Sequence, residues 1–331
     1  MRIGLDLSPV AGHGSPGVAR AALCLCAALE RRGRVEVVRL VPPPGRGARR
    51  WRHLDLARLA RDARLDALHS FTSAFPALAP CRRVQTVHEL PWLHGEAENA
   101  GPRHRLWARL GARFADLVVT MTETVAAELR EHCGPARLAV VPWGVERGVE
   151  RDAALVEARG LRPRGYVLVP GGARPKKRAL AALAALATTR EEALADLRLV
   201  VTGAGPVGAT PGDARLAALG VVDDATMESL VQHAACVAVP SASEGWSLPV
   251  LEALVRGVPV VVPAGSAQAE VAAEGGVVAA SRDPDDLSRA LARAVLERDD
   301  PARVAARRAV AARRSWDESA RRMEEAWLSL P

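Results

Sequence analysis

The sequence has no run of 18 or more apolar residues, and this absence argues against a membrane-spanning helix. It also lacks a basic segment followed by an apolar stretch at its beginning. Arg2–Leu7 instead has the pattern of a β-strand, so we expect no signal peptide. No CxxC pair occurs, and the cysteines are odd in number and scattered. We therefore expect free thiols and a cytoplasmic protein, the cysteines being Cys24, Cys26, Cys81, Cys133 and Cys236.

Lysine, isoleucine, asparagine and tyrosine are almost absent from the chain. Of the 45 basic residues only Lys176 and Lys177 are lysines, and Ile3, Asn99 and Tyr166 are each the single residue of their type. This skew is typical of a bias toward GC-rich codons, so we interpret the net charge of +7 as background rather than as a nucleic-acid surface. Some attraction to anionic ligands or membrane headgroups would still follow from that charge.

Long polar tracts are absent as well, which excludes a largely disordered chain. With 331 residues, 49% of them hydrophobic, the chain is long enough for two domains with separate cores. Short apolar runs alternate with amphipathic helical patterns from end to end, which predicts parallel sheets covered by helices on both faces. The predicted strands are Arg2–Leu7, Val35–Leu40, Ala67–Ser70, Val84–Val87, Leu117–Met121, Leu138–Val141, Tyr166–Val169, Leu197–Thr202, Cys236–Val239, Val258–Val262 and Gly276–Val278.

A charged stretch without strand character, Glu146–Arg164, separates the two halves, and we interpret it as a hinge. The predicted fold class is therefore α/β, with two facing Rossmann-like, doubly wound parallel-sheet domains. In such folds ligands bind beyond the carboxyl ends of the strands, so we expect a site in a cleft between the halves. The predicted domains are residues 1–145 and 146–315, and a helix over 316–331 is expected to pack back on the first domain.

Two carboxylates, Glu244 and Glu252, follow the strand that ends near Pro240. Gly245 lets the backbone approach a ligand closely, and Pro249 is typical of the first turn of a helix. The backbone amides at such a helix start favour a bound diphosphate, so we predict phosphate binding by the residues that follow Glu244, namely Gly245, Trp246, Ser247 and Leu248.

A second glycine-rich segment, Gly171–Arg178, also follows a strand and opens a helix. Gly172 and the helix start suit a phosphate group, and the two lysines of the chain, Lys176 and Lys177, stand side by side here. A compact ammonium group is a good partner for a pyrophosphate oxygen. The turn Val201–Pro206 after the next strand is expected to line the same edge.

These segments resemble the retaining glycosyltransferases of family four, group 1, which have the GT-B fold. The signature is EGWSLPVLEALVRGVPVV at residues 244–261. The similarity extends over nearly the whole chain, through TVHELPWL (86–93), VTMTETVAAEL (119–129), VVPWGVE (140–146), VPGGARPKKRAL (169–180) and SWDESARRM (315–323). The resemblance implies an N-terminal acceptor-side domain, a C-terminal domain that binds a nucleotide sugar, and neither a cofactor nor a metal.

The family's pattern implies roles for four residues of the second domain. Its second glutamate binds the ribose hydroxyls and its first contacts the donor hexose, which implies these roles for Glu252 and Glu244. Its Arg–Lys pair binds the β-phosphate. Lys177 matches that lysine, whereas Lys176 replaces the arginine and loses its two-pronged hydrogen bonding. Ser247 stands where the family most often has glycine, and Trp246 where it has phenylalanine.

Two further features come from the first domain. His88 matches a histidine that contacts an outer hydroxyl of the donor sugar, although the next residue is Glu89 where the family has aspartate. The loop Gly12–Gly17 resembles a glycine-rich loop beside the diphosphate, which implies donor binding by Gly17.

Asp283-Pro284-Asp285 matches the DxD pattern of metal-dependent enzymes, but its proline is typical of a helix start, so we predict no metal ligand there.

The resulting prediction is transfer of a hexose from a nucleotide sugar to an acceptor hydroxyl with retention of configuration, with His88, Glu244 and Lys177 as catalytic residues. A lipid-linked acceptor and peripheral contact with the inner membrane face are left open. The alternatives are a sugar-nucleotide epimerase of the same fold, or a non-catalytic basic module that binds nucleic acid or membrane. For that module the candidate surface is Arg46, Arg49, Arg50, Trp51, Arg52, Arg58, Arg61 and Arg64.

Overall fold

The computed structural model describes residues 1–98, 100–172, 174–205, 207 and 214–331. Ala173 of the predicted phosphate loop and Pro206 of the predicted turn lie outside the described residues. The chain forms two compact units. The first comprises Met1–Gly144 with Arg314–Pro331, and the second comprises Val145–Arg313.

The first unit contains a six-stranded parallel sheet with the strand order β2-β1-β3-β4-β5-β6. Its strands are β1 Arg2–Asp6, β2 Glu36–Leu40, β3 Ala67–Ser70, β4 Arg82–Thr86, β5 Leu117–Thr120 and β6 Leu138–Val140. Its helices are α1 Pro16–Arg32, α2 Ala48–Arg50, α3 Leu56–Asp62, α4 Pro102–Phe114, α5 Glu123–His132 and α13 Trp316–Leu328. A π-helical turn, Trp51–Asp55, joins α2 to α3, and 3-10 turns cover Ser8–Ala11 and Pro91–His94.

The last helix, α13, packs on α1 of the first unit. Arg32 of α1 lies 3.0 Å from the carboxylate of Glu324, whose side chain is fully buried. The hydroxyl of Ser319 donates to the carbonyl oxygen of Pro142 over 2.8 Å, and Trp327 is buried. A charged pair and a large aromatic ring therefore fix the end of the chain to the unit in which it began.

The second unit contains a six-stranded parallel sheet with the order β12-β11-β10-β7-β8-β9. Its strands are β7 Tyr166–Val169, β8 Arg198–Thr202, β9 Leu216–Gly220, β10 Cys236–Ala238, β11 Val260–Pro263 and β12 Val277–Ala279. Its helices are α6 Ala154–Glu157, α7 Ala179–Ala187, α8 Asp224–His233, α9 Leu248–Val255, α10 Ala267–Ala272, α11 Pro284–Leu296 and α12 Pro301–Ala312. The 3-10 turns cover Pro175–Lys177, Glu192–Leu194 and Ala273–Gly275.

The prediction of two doubly wound parallel sheets is confirmed, because both sheets are parallel and both carry helices between their strands. The buried strands β7 and β11 are continuous apolar runs, as strands covered on both faces must be. The sequence did not predict β9, since its residues, LAALG, favour helix or turn rather than strand and are only partly buried at the sheet edge.

Most of the predicted hinge, Glu146–Arg164, belongs to the second unit and packs on it. Arg151 pairs with Glu228 of α8 at 2.6 Å, and its backbone amide donates to Gln232 over 3.0 Å. Further along, the amide of Arg164 donates to the carbonyl oxygen of His233 over 2.7 Å. Charged side chains here form ion pairs on a helix surface, which composition alone does not distinguish from a solvated linker.

Within the described ranges, every helix is too short or too polar to cross a membrane. All five cysteines are free thiols. Burial raises the pKa of Cys26 and of Cys81 to about 11, so neither thiol ionises readily near neutral pH.

Candidate functional site

The second sheet changes direction between β7 and β10. These strands are neighbours, yet the chain continues from β7 toward one edge of the sheet and from β10 toward the other. Such a point leaves a crevice beyond the carboxyl ends of the two strands, where doubly wound folds bind ligands. The loops that border this crevice are 170–178 after β7 and 239–247 after β10. They contain the predicted donor residues of the second unit except Leu248 and Glu252, which lie in α9.

The two loops are joined to each other directly. The backbone amide of Ala242 donates to the carbonyl oxygen of Lys176 over 3.0 Å. The ammonium group of Lys177 contacts the carboxylate of Glu244, in a pair whose side chains are 8% and 12% exposed. Two residues that the sequence places 67 positions apart therefore form a nearly buried ion pair at the crevice.

Glu244 is ionised in this pair. Burial by itself raises the pKa of a carboxyl group, but the charges of Lys177 and Lys176 and hydrogen bonds from Lys177 and Ser241 outweigh it, and the net pKa is lowered. Lys176 is also buried, at 5% exposure. The crevice thus concentrates two ammonium groups and one carboxylate in a partly dehydrated place, where their interactions are stronger than in water.

Ser247 immediately precedes α9 and has a strained backbone, with φ at +92° and ψ at +76°. Residues with a Cβ rarely adopt such angles, which glycine adopts without penalty. Ser247 is buried, and its hydroxyl group has no hydrogen-bond partner among the described residues. Strain and an unsatisfied buried oxygen at the start of a helix are typical of a place that accommodates a ligand.

The other residues predicted after Glu244 are placed by the same loop and helix. Trp246 and Leu248 are buried, and Leu248 begins α9. Glu252 is the fifth residue of this helix and is partly exposed, and its carbonyl oxygen accepts a hydrogen bond from Arg256 over 3.0 Å. Gly172 lies between β7 and the lysines, where a Cβ would come within 2.7 Å of Val169.

Sequence analysis missed the residues that hold the second loop in place. Arg282 donates to the carbonyl oxygens of Ser241 and Ala242, over 3.2 and 3.1 Å. The side-chain amide of Gln268 donates to the carbonyl oxygen of Ser241 over 3.0 Å. No local pattern identifies these residues, because they come from two separate later segments and act only through tertiary contact.

The loop after β7 is held on its other side by β8. The amide of Gly171, at φ +64°, donates to the hydroxyl of Thr202 over 3.2 Å. Gly203 passes so close that a Cβ on it would lie 3.1 Å from the Cα of Gly171. The start of the predicted turn Val201–Pro206 thus supports loop 170–178, which carries the two lysines. This position agrees with the expectation that the turn lies at the same edge of the sheet.

His88 lies in the first unit, just after β4. Its Nε2 lies 2.8 Å from the carbonyl oxygen of Phe71, and a carbonyl only accepts, so Nε2 carries a proton. The ring also packs edge-on against Trp143, at 5.3 Å between centroids. These contacts fix the orientation of the ring, and in the neutral tautomer they leave Nδ1 as the hydrogen-bond acceptor.

The remaining first-unit predictions have mixed outcomes. Gly17 lies in the first turn of α1 rather than in a loop, and Ser15 caps that helix by accepting from the amide of Val18 over 3.4 Å. The prediction that Trp51 belongs to a basic surface is wrong. Trp51 is buried and donates to the carboxylate of Asp6 over 2.8 Å.

Several arginines of that surface are engaged within their own unit. Arg46 and Arg50 lie 3.2 and 3.7 Å from Asp55, and Arg58 lies 3.5 Å from Asp62. The guanidinium of Arg52 donates to the carbonyl oxygen of His13 over 2.8 Å. These pairs weaken the hypothesis of a module that presents the whole set to a polyanion.

Asp283 stands at the cap position of α11, as predicted, but its side chain makes no capping hydrogen bond. Instead its amide donates to the hydroxyl of Ser281 over 3.0 Å, and that hydroxyl donates to Asp286 over 2.7 Å. The DxD-like segment is therefore a helix start whose polar groups bond to one another.

Two family models match successive parts of the chain. One, described as Glycosyltransferase Family 4, matches residues 10–148. The other, described as Glycosyl transferases group 1, matches residues 164–297. The second match contains every predicted donor residue of the second unit.

Curated relatives and solved structures agree with these matches. The D-inositol 3-phosphate glycosyltransferase of Salinispora arenicola is 34% identical over 233 residues, covering 60% of this chain and 50% of that protein. The MMP alpha-(1->4)-mannosyltransferase of Mycolicibacterium hassiacum is 31% identical over 199 residues, covering 56% and 46%. The matched part of the chain thus spans about half the length of these relatives.

The crystal structure of Anabaena Alr3699/HepE in complex with UDP-glucose superposes with a TM-score of 0.74 and 17% identity, over 99% of both chains. At this identity the match shows the fold alone, which is the GT-B fold of two Rossmann-like units. The two family models identify the chain as a member of the group 1, family 4 glycosyltransferases.

Proposed function

We propose that this protein transfers a hexose from a nucleoside diphosphate sugar to an acceptor hydroxyl and retains the anomeric configuration. The observation that carries the proposal is the pair of Lys177 and Glu244 at the crevice between β7 and β10. Family membership supports a nucleotide-sugar donor. The bound UDP-glucose of the Anabaena structure makes UDP the first nucleotide to test.

Lys177 provides charge for the diphosphate in this proposal. Its ammonium group contacts Glu244, so the charge is already held in place and partly dehydrated. A diphosphate that enters the crevice competes with Glu244 for this ammonium group. Positive charge fixed before the reaction stabilises the negative charge that grows on the leaving phosphate, without reorganisation at the moment of transfer.

Glu244 takes the donor sugar as its second partner. A carboxylate accepts several hydrogen bonds, so it can bind sugar hydroxyls while its other oxygen keeps contact with Lys177. Glu252, deeper in α9, is proposed to bind the ribose hydroxyls. Ser247 and Leu248, at the positive end of the helix dipole, add amides on the phosphate side.

Retention follows if the acceptor attacks from the side on which the diphosphate leaves. The bond between the anomeric carbon and the phosphate oxygen breaks as the bond to the acceptor oxygen forms. The acceptor's proton passes to the departing phosphate, so the products are a glycoside and a nucleoside diphosphate. We assign no carboxylate as a covalent nucleophile, since Glu244 is paired with Lys177.

His88 is proposed to bind an outer hydroxyl of the donor sugar through Nδ1. The bond from Nε2–H to Phe71 and the packing on Trp143 support this role, because they fix the tautomer and the ring orientation. We also propose that the reaction requires no metal ion. Lys176, Lys177 and the amides before α9 provide positive potential where a metal would otherwise neutralise the diphosphate.

The test is a panel of UDP, GDP and dTDP sugars, with nucleotide release and donor hydrolysis as readouts and thermal shift by the free nucleoside diphosphates as a binding measurement. We expect one nucleotide to raise the melting temperature and its sugar to be hydrolysed slowly without an acceptor. Activity in the presence of EDTA tests the metal. Product analysis by NMR tests the configuration.

Two variants locate the site. Glu252→Ala is expected to abolish the thermal shift by the nucleotide, and Glu270→Ala, in the nearby helix α10, serves as its matched control. If Glu252→Ala and Lys177→Ala both bind the nucleotide as the unmodified protein does, the site assignment is wrong. If no sugar nucleotide of the panel binds or is hydrolysed, the proposed donor class is wrong.

A further inference from the structure

The outer face of α4 carries large apolar side chains at helical spacing. Leu106, Leu110 and Phe114 are 54%, 42% and 61% exposed and follow one another at intervals of four residues. The opposite face of the helix already packs into the core of the first unit through Ala108 and Ala112. A surface helix normally presents polar residues to the solvent, so this second apolar row requires another explanation.

A row of arginines runs beside the apolar row. Arg105, Arg109 and Arg113 each precede one member of the apolar row by one position, so the two rows lie next to each other on the helix. With Arg103, the 13 residues of α4 contain four arginines and no acidic residue. The face is therefore both apolar and strongly positive.

The surface extends from α4 to the π-helical turn between α2 and α3. His53 stacks on Trp107 of α4 with 5.0 Å between ring centroids. Burial lowers the pKa of His53, and the positive charges of Arg49 in α2, Arg52 in the turn and Arg103 in α4 lower it further, so these arginines lie near the ring. Next to His53, Leu54 is 65% exposed and adds a fourth large apolar side chain.

We propose that this surface binds the protein to an anionic lipid bilayer, with α4 lying in the plane of the headgroups. Leu106, Leu110 and Phe114 enter the boundary between headgroups and acyl chains. Arg109 and Arg113 contact lipid phosphates. This arrangement is that of an interfacial helix, in which buried apolar area and attraction to anionic lipid act together.

The apolar row decides between a bilayer and a nucleic acid. Arginines alone match a phosphate backbone, and leucines contribute nothing to that electrostatic binding. A bilayer offers both partners, since acyl chains lie directly beneath the phosphates. This inference goes beyond the proposed transfer reaction and uses none of its residues, so the two can fail independently.

Flotation of the full chain with vesicles tests the proposal. We compare vesicles of phosphatidylcholine alone with vesicles that also contain phosphatidylglycerol, at low and at high salt. Binding is expected to the anionic vesicles and to weaken at high salt. The triple variant L106S/L110S/F114S is expected to lose about 100-fold in partition coefficient, the effect of removing three partly inserted side chains.

Arginine variants measure the charged part. The variant R109Q/R113Q is expected to reduce binding to anionic vesicles about 25-fold, because each arginine near the membrane surface contributes a factor of about five. R190Q/R308Q is the matched control, because it removes the same net charge from exposed positions of the second unit. The apolar control is L78S/L296S/L328S, whose leucines are 86%, 75% and 51% exposed but do not lie together on one element. Both controls are expected to bind vesicles normally.

Circular dichroism and thermal melting of every variant test whether a loss of vesicle binding is caused by a loss of fold. Equal binding to neutral and anionic vesicles, or normal binding of L106S/L110S/F114S, overturns the proposal. A single-stranded oligonucleotide serves as the competing probe. Binding to the oligonucleotide that depends on Arg109 and Arg113 but not on Leu106, without binding to vesicles, also overturns it.

Discussion

The two units have the same layers but different strand orders, and this difference determines where each one can bind a ligand. In the first unit the sheet changes direction between β1 and β3, whereas in the second it does so between β7 and β10. Each such point leaves a crevice at the carboxyl ends of its strands. The residues that occupy the two crevices are chemically different.

At the first crevice the side chains bond mainly to their own unit. Asp6 ends β1 and is the register partner of Ser70, and both are fully buried. Its carboxylate accepts from the indole of Trp51 and from the amide of Ser8, and burial raises its pKa. The second crevice instead has the nearly buried ion pair of Lys177 and Glu244, in which the pKa of Glu244 is lowered. A charged pair beside the strained start of a helix is better suited to exchange partners with a phosphate.

The largest effect is expected from Lys177→Ala. It leaves the carboxylate of Glu244 nearly buried without its cation, which lowers the free energy of unfolding by about 3 kcal/mol. It also removes preorganised charge from the diphosphate and should lower donor turnover by about 1000-fold. Urea unfolding and sugar-nucleotide hydrolysis measure the two effects.

A double variant separates stability from function. Lys177→Met with Glu244→Leu replaces the pair by apolar side chains of similar volume, which often restores stability. We expect the free energy of unfolding to recover and the turnover to stay low. Recovery of turnover in the double variant would mean that the pair is structural, and the contrast between the two crevices would then be lost.

The sequence predicted the second crevice more completely than the first because its motifs are local. A strand, a glycine turn and a helix start follow one another within loops 170–178 and 239–247, so residue types and spacing predict the site. The pairing of Lys177 with Glu244 and the support from Arg282 could not be predicted, since they join segments 67 and about 40 positions apart. In the first unit Trp51 was misassigned, because an indole beside arginines has the composition of a surface although its N–H group is used in the core.

Lowering the pH should reduce the stability of the first unit before that of the second. Burial, with the nearby charge of His88, lowers the pKa of His69 to about 3, while an unfolded histidine titrates near 6.5. Below about pH 6.5 the unfolded chain therefore binds a proton at His69 that the folded first unit does not bind. The free energy of unfolding of the first unit falls as the pH is lowered from there, by up to about 4 kcal/mol near pH 3. Glu244 has a lowered pKa, so the second unit loses that contribution only below its unfolded value near 4.5.

Tryptophan fluorescence can follow this difference, because six of the seven tryptophans lie in the first unit and Trp246 lies in the second. His69→Gln keeps a donor for the hydroxyl of Thr86, which lies 2.7 Å from the ring of His69, and cannot be protonated. We expect it to reduce the loss of stability between pH 6 and 4, with His132→Gln in α5 as control. An unchanged pH profile would show that His69 does not make the first unit acid-sensitive.

Arg282→Ala is expected to have a smaller effect, confined to the second unit. The guanidinium donates two hydrogen bonds to carbonyl oxygens of the loop that carries Glu244, and their loss should lower the free energy of unfolding by about 2 kcal/mol. Nucleotide affinity should fall about tenfold, because the loop is less well positioned. Arg289→Ala, which removes only an exposed pair with Asp286, is the control. If affinity falls equally in both variants, Arg282 has no specific positioning role.

The smallest effect, and the only one expected to stabilise, is that of Ser247→Gly. Glycine relieves the backbone strain at φ +92°, which is on the order of 1–3 kcal/mol. It also increases the conformational entropy of the unfolded chain, and this destabilises the folded state by somewhat less than the strain. The net gain in the free energy of unfolding should be about 1 kcal/mol. Ser15→Gly, at a capping serine of the first unit with ordinary angles, should instead be neutral or slightly destabilising.

The same variant examines why a serine stands at the second crevice. Its buried hydroxyl, without a partner among the described residues, has a function only if a ligand bonds to it. Nucleotide affinity, measured by the thermal shift of Ser247→Gly, should then fall severalfold although the protein is more stable. A more stable variant with unchanged affinity would show that the strain serves no ligand. The second crevice would then differ from the first only by its charged pair.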